Sequence, residues 1–178
     1  MDNPTPNLGD SQQPRSTAVA LLGLGANLGN AAQTLQQAFV AIRALDNVLN
    51  PQLASLYVSA PVDAPGPHYC NSAVMLRTTL SPLALLDQIQ AIEQAFGRTR
   101  SFRNAPRTLD IDLLWYDGLE IETPRLTLPH PRMHQRAFVL MPIIELKGSN
   151  FLIHGETAEH WLSLCRDQEC YRTGWPVS

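Results

Sequence analysis

The feature that most limits the fold of this chain is a predicted strand from Thr108 to Trp115 that carries two carboxylates. Side chains alternate between the two faces of a strand, so Asp110 and Asp112 share one face while the apolar residues between them share the other. The two Cα atoms should lie roughly 7 Å apart. Carboxylates are seldom buried without a partner, and two such close charges repel each other. The strand therefore needs nearby cations, and divalent metal ions suit a converging pair, which indicates phosphate chemistry.

Positive charge is concentrated beside this strand. Of the 13 lysines and arginines only Lys147 is a lysine, and seven arginines lie between Arg98 and Arg136. The planar guanidinium of arginine matches phosphate oxygens with two parallel hydrogen bonds. A D-x-D pair alone more often marks the exposed face of a sheet, and an arginine-rich stretch is more often a solvated surface. Together they favour two magnesium ions that bridge the carboxylates and the phosphates of a nucleotide.

Composition limits the class of protein and its surroundings. The chain has 178 residues, 44% of them hydrophobic, and a net charge of −3. We therefore expect one domain over residues 17–178, after a disordered polar tail over residues 1–16, and no nucleic acid or membrane as partner. The three cysteines form no C-x-x-C pair, and there is no apolar run of membrane-spanning length and no signal peptide. We expect a monomer in the cytoplasm that binds small molecules.

The order of predicted elements is strand, helix, strand, strand, helix, strand. This order is the ferredoxin-like pattern, so we expect an α+β fold with an antiparallel sheet covered by helices on one face. The predicted strands cover residues 18–24, 52–59, 69–79 and 108–115. The first predicted helix follows a turn and cap over residues 27–30, and the second follows the cap at Ser81. After a turn at Asp117-Gly118 we expect a short return strand, a helical segment over residues 133–146 interrupted near Pro142, a strand near Phe151 and a helix over residues 158–165.

Three further motifs leave alternatives open. Tyr69 and Asn71 should share a strand face, which suits either core packing or recognition of a flat heterocycle by stacking and by the amide. His130, between two prolines, is either an ordinary loop histidine or a phosphate contact. Gly25 to Gly29 matches neither a dinucleotide-binding motif nor a P-loop, and a turn between strand and helix is the simpler interpretation.

Taken together and in order, these motifs resemble the 6-hydroxymethyl-7,8-dihydropterin pyrophosphokinase family of folate biosynthesis. The resemblance covers about residues 19–146, and its most specific parts are Arg107-Thr-Leu-Asp-Ile-Asp-Leu113 and Leu128-Pro-His-Pro-Arg-Met133. It implies transfer of diphosphate from ATP to the pterin hydroxymethyl group, with release of AMP. It also implies that the segments over residues 62–67 and 99–106 close over the substrates.

The resemblance implies a role for each matching residue. Asp110 and Asp112 bind two Mg²⁺ ions and act in catalysis together with Arg98 and Arg107. The implied pterin site consists of Ser59, Ala60, Val62, Tyr69, Asn71 and Phe138. The implied ATP site consists of Gln90, Glu93, Arg98, Arg100, Arg107, Leu113, Arg125, Thr127, His130 and Arg136.

Two other functions compete with this one. Ferredoxin-like sheets also serve RNA-binding modules, but the aromatic RNA-binding signature is missing and the net charge is negative. A metal-dependent phosphohydrolase would use the same carboxylates and release inorganic phosphate instead of AMP.

Overall fold

A computed structural model of the chain describes residues 16–61, 67–97 and 108–175. The strands of its main sheet are β1 (Ala18–Ala26), β2 (Val48–Leu53), β3 (Leu56–Ser59), β4 (Tyr69–Thr78), β5 (Asp110–Tyr116) and β10 (Cys170–Thr173). Their order in the sheet is β10-β3-β4-β1-β5, with β2 also paired to β4, and the pairs are antiparallel. The predicted ferredoxin-like α+β fold is therefore confirmed.

The single strand predicted over residues 52–59 is two strands, β2 and β3, which are separated at Ala54 and Ser55. The Ser72 hydroxyl on β4 shares its one proton between the carbonyls of Ala54 and Ser55, with Oγ 3.1 Å from each oxygen. The interruption is therefore a hydrogen-bonded feature of the sheet, which lets β2 and β3 pair with different parts of β4.

Two helices cover one face of the sheet, as predicted. They are α1 (Ala31–Arg43) and α2 (Pro82–Ala95). Asn30 caps α1 by accepting a hydrogen bond from the amide of Gln33, and Ser81 caps α2 in the same way from the amide of Ala84. Their buried residues pack on the inward side chains of β1, β4 and β5 and form the first core, whose helical members include Leu35, Ala38, Ile42, Leu85, Leu86, Ile89 and Ile92.

The prediction that helices cover only one face is wrong. Helices α3 (Ala137–Lys147) and α4 (Ala158–Ser163) lie over the opposite face, where Leu21 of β1 is fully buried against them. Successive residues of β1 are buried on both faces, and a strand of this kind needs cover on both sides. The predicted interruption near Pro142 is also wrong, since Pro142 lies inside the continuous helix α3. The break in the predicted helical segment lies earlier, between a 3₁₀ turn (Met133–Gln135) and Ala137.

Two small hairpins lie outside the main sheet. The predicted return strand is β6 (Ile121–Glu122), but it pairs with β7 (Thr127–Leu128) rather than with β5. The strand predicted near Phe151 is β8 (Leu152–Ile153), which pairs with β9 (Glu156–Thr157). No helix within the described ranges is both long enough and apolar enough to cross a membrane.

Candidate active site

A cavity of about 660 Å³ opens on the sheet face that α3 covers only in part. Its floor comes from β1, β4 and β5, and its walls come from the end of β3, the loop after β7 and the start of α3. Nine of the predicted site residues line it, namely Ser59, Ala60, Tyr69, Asn71, Asp110, Asp112, His130, Arg136 and Phe138.

The register of the strands sets the order of side chains across the cavity floor. Asn71 on β4 lies opposite Gly25 on β1, and Gly25 in turn lies opposite Asp110 on β5. The next row has Gly23 between Ala73 and Asp112. Because glycine has no side chain, Gly25 leaves open space between Asn71 and Asp110. At Gly23 an added Cβ would lie only 3.2 Å from Leu114 Cδ1, so the missing side chain there makes room for Leu114.

Asp110 and Asp112 share the cavity face, as the alternation of β5 predicts. Both are half-buried, whereas Ile111 between them is 3% exposed and packs in the core under α1 and α2. The amide of Ile111 donates to Glu93 Oε1 at 2.8 Å. Glu93 therefore supports β5 from the side of the sheet opposite the cavity, and its side chain is 1% exposed.

A β-bulge ends the alternation on β5 just beyond the carboxylates. Leu22 pairs with Leu113 and Leu21 with Trp115, so Leu114 is one extra residue on β5. The carbonyl of Leu114 accepts a hydrogen bond from the amide of His130 at 2.8 Å. The bulge therefore anchors the loop that brings His130 to the cavity wall beside the carboxylates.

His130 is held as a neutral imidazole with a defined proton position. Burial lowers its pKa below the ordinary 6.5, and the Arg136 guanidinium lowers it further. The backbone amide of Arg132 donates to Nδ1 at 3.2 Å, so Nδ1 must be the acceptor. In the neutral ring the proton then lies on Nε2, which makes Nε2 a hydrogen-bond donor.

Asn71 has its amide nitrogen committed within the protein. Nδ2 donates to Ser59 Oγ at 2.9 Å and lies 3.4 Å from the carbonyl of Tyr69. The side chain is 4% exposed, and its Oδ1 lies next to Gly25, where an added Cβ would be 3.6 Å away. This arrangement fixes the orientation of the amide and directs its oxygen along the cavity floor.

An aromatic ring and a cation stand together on the opposite wall. Arg136 lies just before α3, and its Cζ is 5.7 Å from the centroid of the Phe138 ring. Tyr69 lines the same cavity from β4. The cavity thus offers aromatic side chains from two elements near Asn71, and it offers cationic and neutral nitrogen donors near the carboxylates.

The remaining predicted residues fall into two groups, those that the structure describes and those that it does not. Gln90, Glu93, Leu113, Arg125 and Thr127 lie outside the lining of this cavity. Leu113 packs in the first core, and Arg125 forms an exposed ion pair with Asp87. Val62, Arg98, Arg100 and Arg107 fall outside the residues that the structure describes, as do the two predicted closing segments apart from Pro67. The roles assigned to all of these residues stay predictions.

The oxygen ligands that the cavity offers to the implied magnesium ions are the two carboxylates of Asp110 and Asp112. Among residues 16–61, 67–97 and 108–175, no group of three or more His, Cys, Asp or Glu side chains could hold a metal ion. Two carboxylates without further protein ligands match Mg²⁺, which takes one or two carboxylates and completes its octahedron with substrate phosphates and water. The residues present therefore fit magnesium delivered with a nucleotide.

Ten of the 19 lining residues were not among the predicted site residues, and three of these ten carry long polar side chains. Arg132, Gln135 and Gln168 all reach the cavity wall. Arg132 lies within the motif that contains His130, and Gln135 follows it by two residues, so their position in the chain was a usable signal. Gln168 lies in the C-terminal part of the chain, where no motif pointed to it.

Comparisons with known proteins agree with this geometry. The family model for 7,8-dihydro-6-hydroxymethylpterin-pyrophosphokinase (HPPK) matches residues 21–148. The 2-amino-4-hydroxy-6-hydroxymethyldihydropteridine pyrophosphokinase of Synechocystis sp. is 36% identical over 165 residues, which cover 93% of this chain and 83% of that protein. The protein of the same name from Haemophilus influenzae is 41% identical over 128 residues, 71% of this chain and 80% of that protein.

A solved structure supports the fold independently. Wild-type Plasmodium falciparum HPPK-DHPS with SDX-DHP superposes with a TM-score of 0.67 at 14% identity. The superposition covers 86% of this chain and 45% of that chain, so this chain spans less than half of that protein. At this identity the likeness shows the fold alone.

The class of protein follows from these comparisons and from the fold: the chain is an enzyme, a pyrophosphokinase built on a ferredoxin-like sheet. Its family match covers the strands, helices and loops that carry most of the cavity. The chain belongs to the 7,8-dihydro-6-hydroxymethylpterin-pyrophosphokinase family. This membership favours an enzyme over the RNA-binding module that the fold alone left open.

Proposed function

We propose that this chain transfers diphosphate from ATP to the hydroxymethyl oxygen of 6-hydroxymethyl-7,8-dihydropterin within the cavity described above. The products are the pterin diphosphate and AMP, and the step belongs to folate biosynthesis. One observation carries the proposal. The register of β4, β1 and β5 sets Asn71, Gly25 and Asp110 in one row, so a heterocycle site and a carboxylate pair face the same open floor.

The pterin belongs at the β4 end of this floor. Its ring is flat and carries nitrogen donors on its edge, which suits stacking by Tyr69 and Phe138 and a hydrogen bond to Asn71 Oδ1. Ser59 holds Asn71 in place through the 2.9 Å hydrogen bond to Nδ2. Ser59 and Ala60 also line this end, and Val62 completes the proposed pterin group.

The phosphates of ATP belong at the β5 end. Asp110 and Asp112 would hold two Mg²⁺ ions, which when bound neutralise phosphate charge and lower the pKa of the attacking hydroxyl. His130 offers Nε2–H as a neutral donor to a phosphate oxygen, and Arg136 supplies positive charge on the same wall. The proposed ATP group also includes Gln90, Glu93, Arg98, Arg100, Arg107, Leu113, Arg125 and Thr127.

Catalysis in this proposal is positioning and charge neutralisation rather than proton transfer by a dedicated base. The chain holds the acceptor hydroxyl at one end of a fixed floor and the phosphates at the other, which favours in-line attack. Groups that carry fixed charge, above all Arg136, stabilise the oxyanions that develop as the bond between the α- and β-phosphates breaks. We further propose that the chain acts as a monomeric single domain in the cytoplasm.

The direct test is product analysis with the purified chain, ATP, Mg²⁺ and the reduced pterin. We expect AMP and the pterin diphosphate in equal amounts, and neither product when the pterin is omitted. Release of inorganic phosphate without a phosphorylated pterin would instead identify a phosphohydrolase. Absence of AMP under these conditions would contradict the proposal.

The assignment of Asn71 predicts a selective defect in pterin binding. Replacing Asn71 by leucine removes both Nδ2, which bonds Ser59, and Oδ1, which faces the floor. We expect the KM for the pterin to rise about 30-fold, because a site built for a polar edge loses roughly 2 kcal/mol when its partner is removed. The KM for ATP should change little.

Steady-state kinetics with each substrate varied in turn measures this split. The matched control is Ser59→Ala, which removes only the partner of Nδ2 and should raise the pterin KM by about threefold or less. Equal rises in both KM values for Asn71→Leu would contradict the assignment of this end of the cavity to the pterin.

A further inference from the structure

The segment after α3 reaches the active-site cavity although it lies beyond the family match, which ends at residue 148. It adds β10 to the edge of the main sheet and places Gln168 in the cavity wall. No motif in the sequence and no step of the proposed mechanism uses this segment.

The side-chain amide of Gln168 makes two short hydrogen bonds to the backbone on either side of Arg136. Its Oε1 accepts from the amide of Ala137 at 2.8 Å, and its Nε2 donates to the carbonyl of Gln135 at 2.8 Å. A neighbouring β-strand would satisfy these same two groups around an extended residue. One side chain therefore acts as the strand partner of the Arg136 backbone.

Arg136 needs such a partner because of where it lies. It is in an extended conformation, with φ −131° and ψ 112°, between the 3₁₀ turn and α3. It is also the N-cap residue of α3 and makes no side-chain capping hydrogen bond. The first amides of a helix have no partner within the helix, and Gln168 accepts from the very first of them. The junction that directs Arg136 toward the cavity is thus held from outside α3.

Gln168 is itself fixed by its neighbours along the chain. Its amide donates to the carbonyl of Cys165 at 3.0 Å, and the next carbonyl, that of Glu169, accepts from the amide of Ala60 at 3.2 Å. Strand β10 then pairs with β3, beginning with Cys170 opposite Ser59. Farther along β10, Arg172 Nε donates to Ser55 Oγ at 2.8 Å. The segment thus ties the α3 junction to the strand that ends at the proposed pterin site.

We propose that Gln168 is a positioning residue, which holds the extended backbone at Arg136 so that the guanidinium meets the phosphates of ATP. This inference rests on the proposed function of the cavity. Gln168 lies beyond the family match, so in this role a residue of the C-terminal segment influences the rate of the reaction.

The first test measures the hydrogen bonds of Gln168 and the activity of the enzyme by two independent readouts. In Gln168→Ala, amide hydrogen exchange at Ala137 should speed up about tenfold, as expected for the loss of one hydrogen bond. The kcat/KM for ATP should fall about tenfold, because small displacements of a positioning group are costly. The exposed Arg166→Ala in the same turn is the control and should change neither quantity. Unchanged exchange at Ala137 would overturn the proposal.

The second test is a double-mutant cycle that a merely structural role would not satisfy. If Gln168 acts through Arg136, then Gln168→Ala should cause no further loss of kcat/KM when added to Arg136→Ala. Multiplied losses in the double variant would overturn the proposal, and so would an unimpaired Arg136→Ala. If Gln168→Ala does not fold, Gln168→Glu keeps the acceptor for Ala137 and serves in the same cycle. Failure of the unaltered chain to make AMP would overturn the proposed function instead.

Discussion

Replacing Asp112 by asparagine should reduce diphosphate transfer about 1,000-fold while leaving the fold intact, a loss typical of removing a group that stabilises transition-state charge. The two side chains have nearly the same shape, so the change removes charge without opening a cavity. Asp112 is half-buried on the open floor of the site and packs in neither core. The rate of AMP release, measured beside the thermal midpoint of unfolding, checks both parts of this prediction.

Asp117→Asn is the matched control for this experiment. Asp117 lies in the turn that follows β5 and is exposed, with φ +48°, a conformation that asparagine adopts readily. A second readout is metal binding: with an ATP analogue present, Mn²⁺ should bind more weakly to Asp112→Asn than to the unaltered chain or the control. Full activity of Asp112→Asn would show that the carboxylate pair is not the metal site.

Replacing Glu93 by alanine should lower the free energy of unfolding by about 3 kcal/mol, through a buried amide left without its acceptor and a cavity at the site. Glu93 is 1% exposed, and its Oε1 accepts the amide of Ile111 at 2.8 Å. For a chain of this length such a loss corresponds to a fall of about 6–12 °C in Tm. Thermal and urea unfolding measure the effect.

Glu93→Gln is the control because it keeps the volume and one oxygen acceptor for Ile111, and its Tm should fall by less than half as much. The pair of variants also separates two roles for Glu93. A residue that only contacts ATP would raise the KM for ATP in Glu93→Ala without changing stability. That result would contradict the supporting role that its burial indicates and would favour the contact with ATP that the resemblance implies.

The sequence was most informative where one local rule dominates. Alternation along a strand correctly placed Asp110 and Asp112 on a shared face, and the capping preferences of Asn30 and Ser81 located the starts of α1 and α2. In each case the neighbours along the chain determine the outcome. Most of the other predicted residues around the cavity were instead implied by the resemblance to a known family.

Features that depend on distant partners were not predictable in this way. Strand β10 is four residues long and only half-buried or exposed, so it carries no clear apolar pattern and exists because β3 offers an open edge. Cover on the second face of the sheet was missed, although the apolar run through Leu21 and Leu22 indicates burial on both sides. Gln168 bonds to backbone groups more than thirty residues away, and no local rule detects such a contact.

The extra residue at Leu114 determines on which face of the sheet the later residues of β5 lie. Before the bulge, even-numbered positions face the cavity. After it, Trp115 packs under α3 and Tyr116 returns to the first core, where its hydroxyl donates to the carbonyl of Leu80. With strict alternation from Asp110 to Tyr116, Trp115 would instead face the first core and Tyr116 the opposite layer. The bulge therefore reverses the layers of the two aromatic rings while both carboxylates keep their place on the cavity face.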